Sequence, residues 1–166
     1  MKRILMMAAG IGVVATVSLA GVALGGSHAA RSLVAIQATV SPKSSVGNRF
    51  TGHFRMMVNG LPVDSGSSSI VLIAGGALQL VDGQSQQSRS ATATFKGKKG
   101  TLTLAFRGVG IAVTTSTTDS QYEVEYGTWT VSTGDGMYKG WRGGGRWANA
   151  SVPAASHIEW DGYASH

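Results

Sequence analysis

The sequence predicts an all-β fold, an antiparallel barrel of about eight strands, with a β-sandwich as the alternative. Three observations predict it. Apolar and polar residues alternate with period two in successive segments from Phe50 onward. Turn signals separate those segments, among them Asn59-Gly60, Gly75-Gly76, Asp82-Gly83 and Gly134-Asp135-Gly136. Beyond residue 29 no segment has a 3.6-residue amphipathic pattern, and the chain's 24 glycines suit tight turns and bulges better than helices.

In chain order, Met1 to Ala29 reads as a secretory signal peptide. Lys2 and Arg3 form a basic start, Ile4 to Leu24 is apolar and uncharged, and Ser27-His28-Ala29 gives a small-residue exit with cleavage before Ala30. The apolar run approaches the roughly 20 residues of a membrane span, so an uncleaved anchor is the alternative. The expected location is secreted or periplasmic, with no stable membrane insertion after cleavage. The chain has no cysteine. Its core must therefore hold without disulfides, and lipoprotein anchoring, thiolate nucleophiles, Cys-ligated zinc and iron–sulfur clusters are excluded.

Ala30 to Asn48 is either a flexible leader or a first strand at Leu33 to Val40, interrupted by Pro42 and Gly47. From residue 49 a single domain follows. Phe50, Gly52, Phe54, Met56 and Val58 share one strand face, with Arg55 on the other. Asp64 to Ser69 reads as a polar loop, Ile70 to Ala74 and Ala77 to Val81 as strands, and Gln84 to Ser90 as loop. Ala91 to Phe95 and Thr101 to Arg107 flank Lys96-Gly97-Lys98-Lys99-Gly100 as a hairpin; Leu102, Leu104 and Phe106 share a face, and Arg107 points away from it. Val109 to Thr115, Gln121 to Tyr126, Thr128 to Ser132, Gly143 to Ala148 and His157 to Ala164 complete the set.

The stretch Gly127-Thr128-Trp129-Thr130-Val131, then Gly134-Asp135-Gly136-Met137-Tyr138-Lys139-Gly140, then Gly143-Gly144-Gly145, resembles a pattern of small secreted bacterial β-proteins. A related pattern occurs in plant dirigent proteins and allene oxide cyclases. The strict match covers Gly127 to Arg146, and the order of hairpins extends it loosely over Phe50 to Ala164. The resemblance implies an eight-stranded antiparallel barrel, and it admits cyclase or isomerase chemistry on a hydrophobic substrate. The residues themselves agree with that geometry. Gly134 and Gly136 suit positive φ in a turn, Tyr138 and Trp141 can close a barrel end, and Gly143 to Gly145 permits a close backbone approach. A phosphate-cradling glycine loop needs a helix after it, and none follows.

Of the 14 basic residues Lys2 and Arg3 leave with the signal segment, so 12 face 8 acidic ones. They are scattered except for Lys96, Lys98 and Lys99, which argues against nucleic-acid binding. His53, His157 and His166 are far apart, with no metal-ligand spacing, and no cofactor motif is present. Asn149-Ala150-Ser151 matches a glycosylation acceptor by chance. Glu123 and Glu125 share a strand face roughly 7 Å apart, a spacing open to acid–base work. They are expected on the solvent face, with Tyr122, Val124 and Tyr126 inward. No catalytic residue is assigned.

The candidate binding site is the barrel interior, lined by Phe54, Phe106, Tyr122, Tyr126 and Trp129 together with Met56 and Leu104. An eight-stranded barrel is either filled by side chains or holds one small ligand. In the second case tyrosine hydroxyls and the Trp129 N–H would orient it. The functional expectation is a non-catalytic exported protein that binds a small apolar ligand or a surface partner. The alternatives are an enzyme of cyclase or isomerase type, and a structural protein that assembles as a homo-oligomer.

Overall fold

The computed structural model of the protein describes residues 31–40, 46–82, 84–114, 121–152 and 155–166, so the expected signal peptide lies outside the described residues. The strands are β1 (Ser32–Val40), β2 (Arg49–Val58), β3 (Leu61–Gly75), β4 (Gln79–Val81), β5 (Gln84–Gly97), β6 (Thr101–Thr114), β7 (Gln121–Gly134), β8 (Arg142–Val152) and β9 (Ala155–Ser165). One 3-10 turn, Gly136–Tyr138, lies between β7 and β8. Among the described residues no helix is long and apolar enough to cross a membrane.

Eight strands close into an antiparallel barrel, and β4 is the extra one. The order is β3-β2-β1-β9-β8-β7-β6-β5, and β3 pairs with β5 to complete the ring. Every barrel strand thus lies beside its neighbour in the chain, and β9 returns to β1 over nine residue pairs from Ser32↔Ala164 to Val40↔Ser156. Closure leaves the ring without a free edge. β4 continues the line of β3 along β5, pairing Gln79 with Gln86 and Val81 with Gln84.

Ser32–Val40 of the expected leader is a strand, and it joins the two ends of the meander. Four expected breaks are absent. Asp64 to Ser69 lies inside β3, paired with β2 throughout and with β5 from Gly66 onward, Ser68 standing opposite Gly52 of β2 and Phe95 of β5. Gln84 to Ser90 is the first half of β5. Gly108 and Gly127 do not end strands; they face each other inside β6 and β7. The small and polar residues of these segments favour loop locally, yet they have ladder partners, and partners outweigh local propensity.

The core follows the period-two reading of β2 and β6. Phe54, Met56, Leu102, Leu104 and Phe106 are buried, while Arg55 and Arg107 are exposed. A column of rings fills the barrel: Phe54 lies 5.2 Å from Phe95, Phe95 5.2 Å from Trp160, Trp160 6.0 Å from Phe106, and Phe106 4.8 Å from Trp147. Glycines seat the large rings. Trp147 donates its Nε1 to the carbonyl of Arg107, and a Cβ on Gly127 would sit 2.7 Å from that nitrogen.

One end of the barrel is sealed. Tyr138 is fully buried and Trp141 packs edge-on against it at 5.1 Å. The Tyr138 hydroxyl donates to Asp64 of β3 at 2.7 Å, and the amides of Ser65, Lys98 and Lys99 donate to the same carboxylate. This floor is the aromatic closure expected from Gly134 to Trp141. Gly136 takes φ +55°, as expected, whereas Gly134 stays in β7 and is needed for the close approach of Tyr138.

Candidate functional site

The opposite end of the barrel is not filled. A cavity of about 90 Å³ remains there, room for several waters or a small organic group. Phe50, Ile70, Leu72, Phe106, Trp147 and Ile158 form its apolar wall. Arg89, Glu123, Glu125, Asn149, Ser151 and Ser156 form its polar side.

Alternation along each strand places these side chains. In β7 the buried Trp129 fixes the inward parity, and a continuous strand carries it back through Gly127 to Glu125 and Glu123. In β5 the buried Phe95, Ala93 and Ala91 carry it to Arg89. In β8 Trp147 carries it to Asn149 and Ser151. Gly110 of β6 leaves space for the charged groups: a Cβ there would lie 3.0 Å from both Arg89 Nε and Glu123 Oε1.

The polar side is one connected network. Arg89 donates through Nη2 to Glu123 Oε1, and its Nε stands 3.0 Å from Glu125 Oε1. Asn149 donates through Nδ2 to Glu125 Oε2 at 2.7 Å and to Ser151 Oγ at 3.0 Å; the Ser151 and Ser156 hydroxyls are 2.8 Å apart. Asn149 is 6% exposed, and its Oδ1 has no partner among the described residues. Burial, with the Glu125 charge adding to it, pushes the Glu123 carboxyl above the usual range; Arg89 opposes that shift without cancelling it. Two carboxylates against one guanidinium leave the cluster net anionic when both are ionised.

The expected lining residues fall in four places. Phe106 lines the cavity. Phe54 is buried in the packed middle against Phe95. Trp129 is buried, but its Nε1 donates to the carbonyls of Arg146 and Asp161, so it is not free to orient a ligand. Tyr126 points outward, 52% exposed, and borders a shallow external groove with Thr128, Arg146, Glu159 and Asp161. Tyr122 belongs to β7, and its side chain lies outside the described residues.

The face assignment of β7 is therefore reversed: Val124 and Tyr126 are outside, and Glu123 and Glu125 are half-buried at the cavity. The physical reason is Gly127. A break there would allow Tyr126 and Trp129 both to face inward; in one continuous strand their opposite parity forbids that. The same parity count, from Phe95 and from Trp147, is the signal that finds Arg89 and Asn149. The barrel is both filled and hollow, packed over most of its length and open at one end.

Among the described residues no cluster of three metal-ligating side chains exists. His157 pairs with Glu159 on the outside at 3.2 Å. Comparison with protein-family models, with curated proteins and with solved structures finds no match.

Proposed function

We propose that the protein is an exported β-barrel that holds a small, mostly apolar molecule in its mouth cavity, as a binder and not as a catalyst. One observation carries this reading: an apolar wall faces an ion-paired polar cluster in which a buried acceptor, Asn149 Oδ1, is left without a partner among the described residues. Buried polar groups without partners are costly, and a ligand that supplies the missing donor offsets that cost. Few convergent polar groups in an apolar cavity are the usual make-up of a small-molecule site. Export rests on the basic start, apolar run and small-residue exit of residues 1–29.

Native mass spectrometry of the protein taken from its own cells and medium, set against its denatured mass, tests both halves. The expected result is a chain beginning at Ala30 and a native species heavier by one small molecule. Leu72→Trp, which fills the cavity, should remove the extra mass. A bare native mass, with no thermal stabilisation by any member of a panel of small apolar compounds, would overturn the binding reading.

A second reading is acid–base catalysis of the cyclase or isomerase type suggested by the resemblance to allene oxide cyclases. It is favoured by Glu123, a half-buried carboxyl whose affinity for its proton is raised. Under it, Glu123→Gln would retain the ligand and abolish turnover; under simple binding no turnover is found with either chain.

A further inference from the structure

We propose that the mouth cavity takes a ligand carrying a protonated amine on a compact apolar body; the proposal rests on the binding reading above and names the ligand class. It follows from which polar atoms of the network are already used. Arg89 is committed to both glutamates. Both oxygens of Glu125 are engaged, one by Arg89 and one by Asn149. Acceptor capacity remains: among the described residues Asn149 Oδ1 has no partner and Glu123 is held through Oε1 alone, while the cluster's buried donor without a hydrogen bond, Arg89 Nε, is already ion-paired with Glu125 at 3.0 Å. An ammonium is a pure donor with three protons, which suits such a set.

Charge points the same way. The cluster holds two carboxylates and one guanidinium, so a cation balances it and an anion adds to the excess. Burial and the neighbouring Glu125 disfavour the ionised form of Glu123, a penalty that a bound cation relieves. Phe106 and Trp147 on the wall are aromatic, and a cation seated over either ring would be attracted to it. Volume limits the apolar part to a short branched chain or little more, since about 90 Å³ is available.

The experiment compares three molecules of one carbon skeleton, isobutylamine, isobutyl alcohol and isobutyrate, at matched pH and ionic strength. Titrations are followed by NMR on the Asn149 side-chain amide and the Trp147 indole N–H, which report from the site itself. The amine should bind about ten-fold tighter than the alcohol, the difference between a charge-assisted and a neutral hydrogen bond, with isobutyrate weakest. Glu123→Gln should erase the advantage of the amine over the alcohol. Equal binding of all three, or isobutyrate tightest, would sink the amine proposal and leave the binding reading standing. Absence of shifts at both probes with all three molecules would overturn both. The comparison in the unmodified chain decides the proposal even if the variant fails to fold.

Discussion

Two carboxyls at opposite ends of the barrel titrate in opposite senses. At Asp64 burial works against ionisation, but the hydrogen bonds from Tyr138 and from the amides of Ser65, Lys99 and Lys98 outweigh it and hold the carboxyl below the usual range. The folded state thus favours the ionised form, so the stabilisation from Asp64 is present above the usual carboxylate range and is lost as pH falls through its lowered value. Glu123 has the reverse sign. Its raised value means that its contribution is greatest at low pH and is lost as pH rises through that value. Tm measured against pH should therefore show an acid-side fall that Asp64→Asn reduces, and a decline above the usual carboxylate range that Glu123→Gln reduces. Tyr138→Phe removes one hydrogen bond to a charged acceptor and should cost about 1.5–3 kcal/mol by chemical denaturation. Burial and the nearby Asp64 push the Tyr138 phenol up, so its hydroxyl remains a donor throughout the accessible pH range. At Gly127 any side chain would meet the Arg107 carbonyl and the Trp147 indole. Gly127→Ala should destabilise the fold by about 1–3 kcal/mol, the range seen for overpacked sites, and should shift the Trp147 fluorescence.

At the scale of elements, the strands with large apolar residues on one face are legible from the sequence alone: β2 from Phe50 to Val58, and β6 from Leu102 to Phe106. The hairpin around Lys98-Lys99 and the aromatic floor at Tyr138 and Trp141 are legible too. The illegible parts lie in strands whose inward positions are small or charged. β3 through Asp64 to Ser69 has little apolar contrast, and β5 from Gln84 to Ser90 has none, because its inward Arg89 finds a counter-charge on β7 and not in a hydrophobic neighbour. The site is hidden for that reason: a charged residue at an inward position breaks the binary pattern that marks a strand's buried face. Long-range partners repair the pattern, and sequence spacing does not reveal them. β1 carries a large structural duty for its length, since it pairs on both sides. A chain shortened to begin at Val46 would expose the edges of β2 and β9. It should lose its far-UV β signal or elute as aggregates in size-exclusion chromatography.

At the scale of the molecule, the barrel is a packed aromatic column with a sealed floor and a hollow mouth. Trp160 sits at the centre of that column, fully buried and in ring contact with both Phe95 and Phe106. Trp160→Ala should cost about 3–5 kcal/mol in a denaturant titration, as large-to-small changes in a closed core do. Leu72→Trp, at the mouth, should cost much less, because it fills space and does not empty it, and its new contacts with the apolar wall offset part of the strain. The contrast between the two variants measures how far the packed column and the hollow end are independent.

The β1–β9 seam has a practical consequence for handling the protein. Ser32 lies opposite Ala164, and Leu33 exchanges hydrogen bonds with Asn59 in the floor turn. Both described chain ends therefore emerge side by side from the sealed face. A tether at either end would orient every molecule the same way on a bead or sensor chip, with the mouth toward the flowing solution. A short linker joining the two ends would span only the width of one strand pair, so new termini could be cut at the Lys98-Lys99 turn without stretching the backbone.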